Sequence, residues 1–137
     1  MKAILDTNLL VYDTFEDSVY HEEAKDVLDS LKEWLIPTIV IHEYVWVLRS
    51  LEIDTKVVLE KVEEYLYHDK TKTICETQND ILYSLKTILH EQLSLSRYND
   101  KVILSIAIRL DAPVATFDKK LRRQAEKANV DVLPKSI

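Results

Sequence analysis

The apolar positions of this 137-residue chain fall into two rhythms. Ala24, Val27, Leu28 and Leu31 recur at helical spacing, as do Val58, Val62, Tyr65 and Leu66, and again Ile81, Leu85, Ile88 and Leu89. Each set predicts a helix with one face turned inward. Between them lie short runs rich in β-branched or apolar residues: "KAIL" at 2–5, the first half of "WLIPTIVI" at 34–41, "KTIC" at 72–75, "APVAT" at 112–116 and "VDVL" at 130–133. These predict strands. Strands alternating with helices predict one α/β domain over residues 1–137, built on a mainly parallel sheet. Such sheets bind ligands outside the carboxyl ends of their strands. Asp6 follows the first strand and Asp118 follows "APVATF", so both fall where a site is expected.

Composition narrows the function. At 47% hydrophobic and 31% charged residues the chain is of an ordinary soluble globular type. "WLIPTIVI" is too short to span a bilayer, and the N-terminus lacks the basic and apolar regions of a secretory signal. Cys75 is the only cysteine, so no intrachain disulfide forms. A cytoplasmic protein without membrane contacts is the expectation, with Cys75 a small core or strand residue. The chain has no glycine. That excludes a Walker loop and a glycine-rich dinucleotide turn, both of which need bare backbone against phosphate. A net charge of −6 argues against nucleic-acid binding by bulk electrostatics alone. The stretch "KKLRRQAEK" at 119–127 nevertheless carries five basic residues and one acid.

Each aspartate taken singly has a structural reading. Asp6, Asp100 and Asp118 all precede helical segments and would serve as N-caps. Glu43 resists that reading. It lies in "IVIHEYVWVLRS" with Ile39, Val40, Trp46 and Val47 three and four positions away, so no basic side chain of its own helix can pair with it. A carboxylate in such surroundings is unfavourable by several kcal/mol unless a cation or hydrogen bonds compensate. It either points to solvent, meets an arginine from elsewhere, or binds metal. Four carboxylates brought to one end of the sheet would repel unless protons or cations neutralised them. Oxygen ligands suit Mg²⁺ or Mn²⁺ rather than zinc. His21, His42, His68 and His90 show no zinc-ligand spacing.

Asp6-Thr7-Asn8 after an apolar strand, Glu43 in an apolar helix, Asp100 opening "DKVILSIAIRL", and "TFDKKL" with Asp118 together resemble the PIN-domain nucleases. Length and motif order resemble the VapC-type toxins of prokaryotic toxin–antitoxin pairs, over essentially the whole chain. The resemblance implies a three-layer α/β/α sandwich with a central sheet of four or five strands. It implies metal-dependent endoribonuclease activity, with Asp6, Glu43, Asp100 and Asp118 holding one or two Mg²⁺ or Mn²⁺ ions. Asn8 and Thr116 match polar positions that orient the carboxylates. The partners implied are an RNA substrate, a second copy in a homodimer, and an antitoxin. A PIN nuclease of RNA processing without an antitoxin, and a non-catalytic binding protein on the same fold, are the competing readings. A phosphotransferase with Asp6 as nucleophile lacks its second acid, since Asn8 occupies that place.

Two features depart from the family pattern. The helix after Asp100 carries Val102, Ile103, Leu104 and Ile106 where small alanines are usual, and Asp111 stands near a turn that is usually glycine. Lys119 and Lys120 sit in the first turn of their helix, against the macrodipole, which points to phosphate binding beside the acids as readily as to a solvated basic face. Arg97 and Lys101 flank Asp100 and join them as phosphate contacts. Trp46, Tyr65 and Tyr67 are available for a partner interface, with core packing the more natural place for Trp46.

Overall fold

The computed structural model describes residues 1–137. Five strands, β1 (Lys2–Leu5), β2 (Glu33–Pro37), β3 (Thr71–Ile74), β4 (Val114–Ala115) and β5 (Val132–Leu133), form one sheet in the order β3-β2-β1-β4-β5. Every pairing is parallel. All five predicted strands are present, β4 and β5 as pairs of residues within longer runs. Helices α1 (Thr7–Thr14), α2 (His21–Ser30), α3 (Thr38–Ser50) and α4 (Thr55–Leu66) connect β1 through β2 to β3. Helices α5 (Gln78–Glu91), α6 (Tyr98–Leu110) and α7 (Lys119–Lys127) serve β4 and β5.

Topology follows from handedness. Right-handed crossovers running from β1 outward to β3 place α1–α4 on one face of the sheet. The chain then returns past β1 to β4 and continues to β5, which places α5–α7 on the other face. An α/β/α sandwich results, as the sequence predicts. The order reverses between β1 and β4, whose helices leave toward opposite faces. In sheets of this kind the crevice that binds ligands lies at that point, outside the carboxyl ends of the two strands. No helix is long and apolar enough to cross a membrane.

The core is one contiguous cluster. Ala3, Ile4 and Leu5 of β1 and Val114 and Ala115 of β4 are fully buried, as expected of strands covered on both faces. Helix α2 buries Ala24, Val27 and Leu28, and Leu31 follows them inside, as its periodicity predicts. Helix α6 explains its own departure from small residues. It packs on β1 and β4 with one side and on α5 with another, so residues 101–107 are all buried and bulky side chains fill the space.

Helix α5 overturns the expected face. Of Ile81, Leu85, Ile88 and Leu89 only Ile88 is buried, and Leu89 is 80% exposed. The inner face is instead Asp80, Ser84 and Ile88. Asp80 accepts from Ser105 Oγ at 2.7 Å and from Arg109 Nη2 at 2.9 Å, and closes a capping box with Thr77. A satisfied polar network, rather than an apolar stripe, fixes the rotation of this helix. Trp46 is likewise 62% exposed, with the Arg49 guanidinium over its ring, and Cys75 is exposed beyond the end of β3. Core or strand burial fails for both.

Without glycine, four non-glycine residues adopt left-handed backbone: Glu52, Gln92, Asp111 and Asn129. Each closes or follows a helix end, where glycine is usual. Asp111 is the C-cap of α6 at φ 50°, so the turn retains its geometry although the glycine is gone.

Candidate active site

Asp6 leaves β1 as the N-cap of α1 and is 7% exposed. One carboxylate oxygen accepts from the Thr7 backbone N–H at 2.8 Å. The other accepts from Thr116 Oγ1 at 2.7 Å and Asn8 Nδ2 at 3.2 Å. Thr116 ends the β4 run, so the two strands flanking the crevice are joined through this carboxylate. Asn8 reinforces the joint: its amide also donates to Thr116 Oγ1 at 3.2 Å, and its Oδ1 accepts from the Phe117 N–H at 3.1 Å. Thr116 Oγ1 in turn accepts from the Asp118 N–H at 3.0 Å. Asn8 and Thr116 therefore both donate to the Asp6 carboxylate and belong to one hydrogen-bonded network.

Asp118 is the N-cap of α7, accepting from the backbone N–H groups of Lys120 and Leu121 at 2.8 and 3.4 Å. Asp6 and Asp118 are thus both helix caps, joined to one another through Thr116. Asp100 is no cap: α6 begins at Tyr98, and Asp100 lies within its first turn. Arg97 Nη1 approaches Asp100 Oδ2 at 3.7 Å.

Glu43 reaches the cluster from α3. The start of that helix is pinned from a distant segment, since Pro37 offers no capping side chain. Glu76 supplies it instead, accepting from Thr38 Oγ1 at 2.6 Å and the Ile39 N–H at 2.8 Å. Glu43 Oε1 is buried and has no hydrogen-bond partner, and neither has the neighbouring Thr7 Oγ1. No arginine meets Glu43. A buried carboxylate oxygen left unpaired is costly, and native proteins seldom leave one without a reason.

Electrostatics ties the four acids together. Burial raises the pKa of Asp6 above the usual carboxylate range, its hydrogen bonds from Thr116 and Thr7 oppose this, and the charge of Asp118 adds to it. Burial also raises Glu43, and the charge of Asp6 adds to the rise. Asp100 is pushed up to about 7, first by burial and then by Asp6 and Asp118, with Arg97 offsetting part and Glu43 adding to the rise. Asp6, Glu43 and Asp100 are each raised in part by neighbouring carboxylates, the mark of like charges sharing a confined space. As placed, no three His, Cys, Asp or Glu side chains surround a single point closely enough to hold an ion. The acids share a field rather than a finished coordination shell. Their donor chemistry nevertheless fits a hard divalent cation: every donor is an oxygen, their charges are mutually unfavourable, and one oxygen is buried and unclaimed.

The basic residues divide. Lys119 and Lys120 are exposed on α7 beside Asp118, and neither takes part in any of the five ion pairs of the chain. Lys101 is 4% exposed, and its ammonium is bound to Glu91 at 3.1 Å. That commitment removes it from the expected phosphate contacts. Thr7, which appears in the sequence only as part of the Asp6-Thr7-Asn8 motif, and Asn99 adjoin the cluster without a strong sequence signal of their own. Their signal is local, since each is a polar residue directly adjoining a site aspartate, but such adjacency is common on any helix start.

An acidic crevice at the switch point of an all-parallel α/β/α sandwich defines the class of protein. The chain belongs to the PIN domain family, whose model matches residues 3–127. Comparison with curated proteins finds no match. Among solved structures the fold is similar to Mycobacterium tuberculosis VapC20, a Sarcin-Ricin loop cleaving toxin, with TM-score 0.76 and 13% identity over 89% of this chain and 94% of that one. It is also similar to VapBC2 from Rickettsia felis bound to a DNA fragment from their promoter, with TM-score 0.69 and 18% identity over 96% and 97% of the two chains. A toxin–antitoxin complex from Klebsiella pneumoniae gives TM-score 0.63 and 18% identity over 98% and 95%.

Proposed function

We propose that the protein is a metal-dependent endoribonuclease, the toxin of a toxin–antitoxin pair, with Asp6, Glu43, Asp100 and Asp118 as its ion-binding acids. The observation that carries this reading is the buried, unpartnered Glu43 Oε1 among three other carboxylates. A divalent cation held there would polarise the scissile phosphate and lower the pKa of a bound water. Asp6, already fixed by three donors, would offer its carboxylate to the ion in that orientation, and Glu43 and Asp100 would supply further oxygens. Thr116 and Asn8 hold Asp6 in place, as outer partners of ion ligands commonly do. Lys119 and Lys120, with Arg97 behind Asp100, attract the phosphodiester.

The toxin assignment draws on the shape shared with toxins of such pairs and on the surface. Ile81, Leu82, Tyr83, Leu85 and Leu89 of α5 are all exposed. A face of that kind fits association with a second copy or an antitoxin. A monomeric mass at micromolar concentration would count against the homodimer.

Manganese titrated calorimetrically into wild type and into folded Asp6→Asn and Glu43→Gln variants tests the ion site, followed by cleavage of a single-stranded RNA. Binding and cleavage in wild type, lost in both variants, are expected. Full cleavage by folded Asp6→Asn would remove the assignment.

A further inference from the structure

Phe117 sits between Thr116 and Asp118, with its backbone N–H on Asn8, so its buried ring is anchored in a segment that also carries one of the acids. It stacks on Tyr20, with ring centroids 4.7 Å apart and planes 10° from parallel. Tyr12 meets both rings at an edge, at 5.4 Å from Tyr20 and 5.5 Å from Phe117. Two nearly equal distances place Tyr12 beside the stack. Above its end, Tyr12 would lie far closer to Tyr20 than to Phe117. The outer face of Tyr20 is therefore not covered by Tyr12. Phe117 is buried whereas Tyr20 is half-buried, so Tyr20 is the more exposed end of the stack.

Tyr20 is also held in place. It is the N-cap residue of α2, its carbonyl accepts from the Ala24 N–H at 2.8 Å, and the loop before it is tied to α1. Ser18 Oγ donates to the carbonyls of Tyr12 and Phe15 at 2.9 and 2.6 Å, and His21 Nδ1 donates to the Tyr12 carbonyl at 2.9 Å. A platform fixed before its ligand arrives loses little entropy on binding.

We propose that Tyr20, backed by Phe117 and steadied by Tyr12, stacks one unpaired nucleobase of the RNA beside the scissile phosphate. Phe117, Tyr20 and the base would form one continuous column leading away from the acids. The inference rests on the nuclease reading and makes it more specific. The substrate is single-stranded at the cut, in a loop or an end, with a base free to leave its neighbours. Preference among bases is weak at this position, because every base offers a π-face.

The test uses the full chain carrying Glu43→Gln, so that bound RNA is not consumed, with and without Tyr20→Leu and Tyr20→Trp. The probe is a single-stranded RNA decamer of uridines, in a series where an abasic ribose replaces each position in turn. Expected is a loss of affinity of about tenfold at one abasic position, the usual contribution of one base–aromatic stack. That loss should vanish in Tyr20→Leu, which binds the intact decamer as weakly as the abasic one, and persist in Tyr20→Trp. Were Tyr20→Leu not to fold, the abasic profile with Tyr20→Trp decides alone, since a larger π-face should deepen the loss. An abasic profile that is flat, or that is identical with and without the Tyr20 ring, overturns the proposal. Cleavage of the intact decamer by the wild-type chain with Mn²⁺ separately reads the nuclease assignment, so failure of one is distinguishable from failure of the other.

Discussion

Asp6 and Asp80 are both buried aspartates next to a helix start, and the protein treats them oppositely. Burial alone would raise the pKa of either. At Asp80 the Arg109 guanidinium, the Ser105 hydroxyl and the Thr77 groups overcome burial and bring the carboxyl below its ordinary value. At Asp6 one hydroxyl, one amide and one backbone N–H donor do not overcome it, and the charge of Asp118 adds to the rise. The first arrangement is finished: negative charge meets positive, and α5 is locked to α6. The second leaves negative charge in excess. A fold that supplies a cation partner in one place and withholds it in another has the charge balance that the proposed ion site requires.

The comparison predicts opposite effects on stability. Asp80→Ala removes an ion pair, a capping box and a buried hydrogen bond together, and should cost about 3 kcal/mol in urea unfolding. Asp6→Asn keeps the shape and removes a charge repelled by its neighbours. In metal-free buffer it should leave stability unchanged or higher. A loss at Asp6 equal to that at Asp80 would mean that both aspartates are structural.

Acidity sharpens the contrast. The folded chain holds the Asp100 proton up to about pH 7, whereas the ordinary carboxyl value is 3.8. Between these values the unfolded chain has lost a proton that the folded chain retains. Stability from this group is therefore full below about pH 4 and drains as pH rises through 7. Metal-free wild type should melt at lower temperature at pH 8 than at pH 5. Asp100→Asn should flatten that slope and stabilise the protein at pH 8 by about 1–3 kcal/mol, a discounted conversion of the shift. Added Mn²⁺ should restore wild type more than the variant. A slope unaffected by Asp100→Asn would place the titration elsewhere.

These contrasts show what was legible in the sequence. The acids of the crevice could be read because Glu43 sits in an apolar helix with no local partner, and Asp6, Asp100 and Asp118, each explicable singly as a cap, fall around it in a recognisable order. The α5 face could not. Apolar spacing at Ile81, Leu85 and Leu89 signals burial only if the inner face competes on hydrophobicity, and here it is won by hydrogen bonds from Thr77, Ser105 and Arg109. Two of these come from residues more than twenty positions away. Lys101 misled for the same reason, since its partner Glu91 belongs to the neighbouring helix. Local pattern reveals a residue that is out of place, but not the distant residue that makes another one fit.

Lys119 and Lys120 carry the contrast to the cations, with the smallest expected effect. Arg109 and Lys101 on α6 are held by Asp80 and Glu91, so their charge is largely cancelled within the protein. Lys119 and Lys120 have no ion-pair partner and lie where the helix macrodipole disfavours them, offset only by the Asp118 cap. Charge without a structural partner is available to a polyanion. Replacing both by glutamate should leave the melting temperature nearly unchanged, because exposed charges contribute little to stability. It should weaken RNA binding across sequences and lower the slope of log affinity against log salt by about 1 to 2, roughly one phosphate contact per lysine. An unchanged salt slope would return these lysines to the solvated face of α7. The excess charge at the crevice would then be negative alone, awaiting an ion but not steering its substrate.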